Sequence, residues 1–277
     1  MNSNNPEIGS TIQAGEFVTN YHDSGSGQPV LLLHGSGPGV SAFANWRLSI
    51  RDLSPYFRIL APDLAGFGYT QVPDGTEYSR RLWLQHIVDF LDALDVGKTH
   101  VIGNSFGGSM ALALAIAHPD RIDKLILMGS CGVPFELTPG LDAVWGYEPS
   151  PENMKAIMRL FAYDQSLVSD DLAQLRYAAS ARDGVQGAYS SMFPAPRQRW
   201  VEALAYDDAQ IRKISHPTLL VHGRDDKVIP LSTSERMLEL IDNSQLHVFG
   251  RCGHWTQIEH ADAFARLVHT FLTPNNT

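Results

Sequence analysis

One serine constrains this chain more than any other residue. Ser105 lies in Gly103-Asn104-Ser105-Phe106-Gly107, after the apolar run Thr99-His100-Val101-Ile102 and at the head of the small-residue stretch Phe106 to His118. The run reads as a short buried strand, and the stretch reads as a helix packed closely on a sheet. A serine between them lies on a sharp strand-to-helix turn. That turn lifts its hydroxyl out of the fold and aims helix N-terminal amides at whatever the oxygen attacks. A tight turn in which the glycines serve only packing is the simpler alternative, so the assignment depends on finding partners for the hydroxyl.

Short apolar segments alternate with helical patterns over most of the 277 residues. Phe17 to Asp23, Pro29 to His34, Phe57 to Asp63, Val101 to Asn104, Lys124 to Met128, Thr218 to His222 and Leu246 to Phe249 read as strands. Ser24-Gly25-Ser26-Gly27 predicts a hairpin joining the first two. Tyr78 to Leu94, Leu231 to Ile241 and Ala261 to Leu272 read as helices. Apolar strands alternating with helices imply a mostly parallel sheet covered on both faces. From Val133 to about Ser215 the rhythm breaks. Prolines stand at 134, 139, 149, 151, 194 and 196, the helical pieces (153–162 and 169–179) are amphipathic, and no strand is evident. We read residues 133–210 as a helical lid over the carboxyl edge of the sheet, where parallel sheets bind ligands, and residues 1–132 with 211–277 as the core.

Composition limits the rest. A net charge of −9 argues against nucleic acid and an anionic membrane surface. The longest unbroken apolar run, Met110 to Ala117, is far shorter than a membrane span. Two cysteines, no signal-peptide pattern and no zinc-ligand spacing suggest a cytoplasmic protein without a disulfide framework or a metal.

A serine hydroxyl is a weak nucleophile at neutral pH and needs a base, itself oriented by an acid. Asp226 follows the strand at 218–222, and His254 follows the strand at 246–249, both at the edge that carries Ser105. The order Ser, Asp, His is that of α/β-hydrolases. Asp225 adjoins Asp226 and competes for the same role. His34 and His222 are expected to bond loop backbone. Negative charge developing on an attacked carbonyl needs fixed donors, and the glycine-rich His34 to Gly39 segment places backbone amides where they can approach closely. Its lack of a Lys-Ser/Thr ending argues against a phosphate cradle.

Several segments together resemble one family, the meta-cleavage product hydrolases. They are HGSGPGVSAFANWR (34–47), APDLAGFGYT (61–70), GNSFGG (103–108), VWGYEPS (144–150), MFPAPRQRWVEAL (192–204) and RCGHWTQIE (251–259). The likeness runs from about residue 15 to 272 and is greatest to the branch acting on ring-fission products of single-ring compounds. It implies an α/β-hydrolase fold with an eight-stranded, mostly parallel sheet and one N-terminal antiparallel strand. It also implies no cofactor, a homodimer, and cleavage of 2-hydroxy-6-oxohexa-2,4-dienoates, small anionic substrates, to 2-hydroxypenta-2,4-dienoate and a carboxylic acid. By the same resemblance Ser105, Asp226 and His254 form the triad, and the Ser36 and Phe106 amides form the oxyanion hole. Asn45, Asn104, Trp255 and a lid arginine hold the dienoate end. We assign that arginine to Arg182, with Arg176 as the rival. Cys131, Val133, Leu141, Trp145, Met192 and Val228 are candidates for the apolar pocket beyond the 6-carbonyl. The chemistry agrees: breaking a C–C bond leaves a carbanion, which needs an electron sink and a cationic grip on the acidic end. A serine esterase, a cofactor-free haloperoxidase-like enzyme, or a small-molecule receptor on the same scaffold would share the triad without requiring that polar set.

Overall fold

The computed structural model describes residues 5–273. Eight strands form one sheet: β1 (Ser10–Ala14), β2 (Phe17–Ser24), β3 (Pro29–Leu33), β4 (Arg58–Pro62), β5 (Thr99–Asn104), β6 (Ile122–Met128), β7 (Thr218–Gly223) and β8 (Ser244–Phe249). Their spatial order is β1-β2-β4-β3-β5-β6-β7-β8. β3 to β8 are mutually parallel, β2 runs antiparallel against β4, and β1 pairs antiparallel with β2. The expected hairpin between β2 and β3 does not form. The chain does turn at Gly25 (φ 83°), but β4 then inserts between the two strands. β4 is apolar and almost wholly buried, so it needs a strand on each side, whereas the half-exposed β2 tolerates a place near the edge.

Alternating side chains feed two cores, as strand pleating requires. Leu31, Leu33, Leu125 and Leu127 face one, and Val30, Leu32, Ile126 and Met128 face the other. Helices α1 (Ala42–Leu53) and α12 (Ala261–Leu272) cover the second face through Trp46 and Phe264. On the first lie α2 (Arg80–Ala93), with Trp83, and α3 (Phe106–Ala117), with Met110. Between β6 and β7 come α4 (Pro139–Trp145), α5 (Pro151–Phe161), α6 (Asp170–Ser180), α7 (Val185–Met192), α8 (Gln198–Ala203) and α9 (Asp208–Ile211). Thr138, Ser150 and Ser169 cap α4, α5 and α6 with their hydroxyls, which is why these short helices begin where they do. The remaining helices are α10 (Ser232–Leu240) and α11 (Thr256–Glu259). Among the described residues no helix is long and apolar enough to cross a membrane, and no cluster of His, Cys, Asp and Glu could hold a metal ion.

Candidate active site

The turn between β5 and α3 is as sharp as the sequence requires. Ser105 has φ 55° and ψ −115°, a conformation L-residues rarely adopt. The flanking glycines make it possible: a Cβ on Gly103 would stand 2.4 Å from Gly107 O, and one on Gly107 would stand 2.2 Å from Leu33 O. The Ser105 amide bonds Met128 O at 2.9 Å, and its carbonyl accepts from Cys131 N at 3.1 Å. The turn is thus tied to the strand next door.

His254 and Asp226 meet from the loops after β8 and β7. The His254 Nδ1–H donates to Asp226 Oδ2 at 2.7 Å, which leaves Nε2 with a free lone pair. Asp226 Oδ1 accepts from the Val228 and Ile229 amides at 2.7 and 3.0 Å. Burial pushes the Asp226 carboxyl up. Electrostatic attraction and hydrogen bonds from the neighbouring His254 and His222 rings outweigh that push and hold it well below the usual carboxylate range. Asp225 instead turns toward Cys252 N and Arg224 and is partly exposed. The Phe161 ring stacks on His254 at 5.6 Å, and Phe161 O accepts the His254 amide at 2.7 Å. Ser105 and His254 line the same cavity without a hydrogen bond between them; such contacts often tighten only with substrate bound. His34 and His222 bond backbone as expected. His34 Nδ1 donates to Gly35 O and its Nε2 accepts Leu64 N, while His222 Nε2 donates to Ile229 O.

The cavity has a volume of about 330 Å³ and lies between the sheet edge and helices α4, α5 and α6. Of the residues singled out in the sequence, Ser36, Asn45, Asn104, Ser105, Leu141, Val228, His254 and Trp255 line it. Asn45 Oδ1 accepts the Gly35 amide at 3.3 Å, and its buried Nδ2 has no partner.

Arg182 does not line it, which corrects the assignment made above. Its guanidinium lies over the Tyr69 ring at 3.9 Å and donates to Gly68 O and Ala179 O. Arg176, just under two turns earlier on α6, does line the cavity, donating to Glu7 Oε1 at 2.5 Å and to Gly39 O. Cys131, Val133, Trp145 and Met192 are buried but do not line the cavity either. Cys131 is tied by its amide to Ser105 O, and the Trp145 indole is turned to Ser36 Oγ and stacked on Phe193 at 4.5 Å. The Phe106 side chain is fully buried away from the cavity, its ring packed edge-on against Trp83.

Three further polar residues line the cavity: Glu7, Arg47 and Gln257. Arg47 and Gln257 fall inside quoted motifs and could have been found there. Glu7 gave no signal, because its partners are Ser41 and Arg176, the latter 169 positions away. With Arg47 and Arg176 facing one Glu7, this part of the wall is net positive.

A family model described as the alpha/beta hydrolase fold matches residues 28–261. A 2-hydroxy-6-oxo-2,4-heptadienoate hydrolase of Pseudomonas putida (strain F1) is 59% identical over 98% of this chain and 99% of its own length. A 2-hydroxymuconate semialdehyde hydrolase of Pseudomonas sp. (strain CF600) is 55% identical over 97% of this chain and 95% of its own. Among solved structures, a serine-to-alanine variant of a meta-cleavage product hydrolase from Pseudomonas fluorescens IP01, in complex with acetates, superposes with a TM-score of 0.96. It is 56% identical, with 96% of this chain and 98% of that one covered. The fold and the site therefore define an α/β-hydrolase with a serine nucleophile. Within that class the chain belongs to the meta-cleavage product hydrolases.

Proposed function

We propose that this enzyme hydrolyses the C5–C6 bond of 2-hydroxy-6-oxohexa-2,4-dienoates bearing a small 6-substituent, giving 2-hydroxypenta-2,4-dienoate and a carboxylic acid. One observation carries the reading: a serine on a strained turn, a carboxylate-oriented histidine and a net positive wall share one cavity. Arg176 takes the substrate carboxylate in place of Arg182, and Asn45, Asn104 and Trp255 face the 2-oxygen end. Leu141 and Val228 meet the 6-substituent, and residues 133–210 act as the lid.

The chemistry runs in two stages. The proton of the 2-hydroxyl is moved to C5 with the help of His254, so that C2 becomes a ketone conjugated to C3=C4. Ser105 Oγ then attacks C6 as His254 Nε2 takes its proton, and Asp226 stabilises the imidazolium. The Ser36 and Phe106 amides receive the oxyanion. When the C5–C6 bond breaks, its electron pair passes through C4=C3 onto the C2 oxygen, which is protonated. Water, activated by His254, releases the acid from Ser105. The resemblance also supports a homodimer, which sedimentation would measure.

The substrate is a coloured dienolate, so turnover is read as bleaching. Rapid bleaching with release of both products is expected, with Asp226→Asn slower by about 10³–10⁴-fold because the histidine loses its orienting acceptor. Binding without bleaching would point to a receptor. Wild-type product release by Ser105→Ala would remove the serine from the mechanism.

A further inference from the structure

We propose that Tyr189, assisted by Trp145, is a positioning residue for the oxyanion hole, so that α7 and the end of α4 hold the geometry of the C–C fission step. The proposal rests on the assignment of the Ser36 and Phe106 amides made above.

Ser36 sits on a loop that must hold an amide in place, yet the loop is rich in glycine and has no regular structure of its own. His34 Nδ1 holds the Gly35 carbonyl from within the loop, at 2.8 Å, and the restraint on Ser36 itself comes from outside. The Tyr189 hydroxyl lies 3.0 Å from Ser36 O and 2.7 Å from Val144 O, and its one proton is shared between them. Trp145 Nε1 donates to Ser36 Oγ at 3.0 Å. Ser36 is therefore gripped by its carbonyl and by its side chain, both from the segment between β6 and β7. All three contacts are buried, so water does not compete for them.

The second oxyanion residue is held from the same side. Phe193, directly after α7, stacks on Trp145 at 4.5 Å and meets the Phe106 ring edge-on at 6.2 Å. One short stretch, Tyr189 to Phe193, thus touches both halves of the hole. Burial raises the Tyr189 phenol well above its ordinary range, so the hydroxyl keeps its proton and remains a donor at any working pH. A fully buried tyrosine whose oxygen bridges a lid carbonyl and a core-loop carbonyl is poorly explained by packing alone, since phenylalanine would fill the same volume.

The consequence is specific to one step. Ketonisation places no negative charge on the 6-oxygen, whereas attack at C6 does. Loosening Ser36 should slow fission and spare ketonisation. The test is single-turnover kinetics of Tyr189→Phe, following bleaching of the dienolate and release of 2-hydroxypenta-2,4-dienoate separately. Ketonisation and KM should stay within about threefold of wild type. Fission should fall about 10- to 100-fold, less than the 10²–10³-fold of deleting a donor outright, and the keto intermediate should accumulate. Trp145→Phe, which keeps an aromatic ring for Phe193, should give a smaller loss of the same kind. Hydrolysis of p-nitrophenyl acetate, which needs the hole but no ketonisation, should fall in parallel. This ester arm reads the clamp even if the dienoate proves not to be the substrate. Parallel loss of ketonisation and fission, or ester and fission rates unchanged in Tyr189→Phe, would overturn the proposal.

Discussion

Removing the guanidinium from Arg176 should separate binding from stability. The side chain is 15% exposed and its partner Glu7 11% exposed, so the pair is largely shielded from water. A hydrogen bond to a charged group contributes about 1.5–3 kcal/mol, so losing the grip on a substrate carboxylate should lower kcat/KM by about 10- to 150-fold. Most of the loss should appear in KM, because the carboxylate is held equally before and during bond breaking. Arg176→Ala also leaves Glu7 buried without its cation, which destabilises the fold independently of substrate. The double variant Glu7→Gln/Arg176→Ala should recover much of that stability and none of the KM. Arg182→Ala removes two bonds to backbone carbonyls and a cation–π contact, all away from the cavity. It should cost stability and leave kcat/KM within about threefold. The assay is steady-state bleaching of a 6-methyl dienoate with melting temperatures measured in parallel. The reasoning fails if Arg182→Ala loses as much kcat/KM as Arg176→Ala, or if the double variant regains wild-type KM.

Two further outcomes follow from buried titratable groups. Burial lowers the pKa of His34 and of His86 to about 4, and each accepts a backbone amide through a ring nitrogen that protonation would block. The unfolded chain binds these protons first, so their contribution to stability is intact above pH 6.5 and is lost as pH falls toward 4. Asp63, pushed up to about 7 by burial, runs in the opposite sense. The readout is therefore a difference: between pH 7 and pH 5, His86→Gln should lose about 2 kcal/mol less than wild type in urea denaturation, and identical losses would refute the assignment. Burial also raises the thiols of Cys131 and Cys252 to about 12, so iodoacetamide at pH 8 should label them about 1000-fold more slowly in the native than in the unfolded protein. Prompt native labelling seen by mass spectrometry would show that a thiolate is available.

Local pattern carried seven of the eight strands and the core helices α2, α3, α10 and α12, because apolar runs bounded by turn residues leave few alternatives, whereas β1 and α1 were not read. The hairpin expectation at Ser24 to Gly27 failed because adjacency in sequence was taken for adjacency in the sheet. Only the burial of β4 on both edges decides otherwise, and burial is a tertiary property. Asp226 was preferred to Asp225 only through the family resemblance, since adjacent aspartates in one loop look alike until one is seen against His254 and the other against Cys252 N and Arg224. Arg176 and Arg182 were not separable, since both lie on or just after one helix and differ only in what surrounds them. Glu7 was invisible for the same reason in a stronger form: a polar residue near the start of a chain resembles any solvated segment until its partner on α6 is placed.

The backbone at Ser105 sets activity and robustness against each other. Holding a serine at φ 55° and ψ −115° costs on the order of 1–3 kcal/mol, and glycine at the same position would relieve it. A catalytically dead Ser105→Gly protein should therefore outlast the working enzyme on heating. Selection for thermal endurance alone would favour glycine here, so the serine answers to the reaction rather than to the fold.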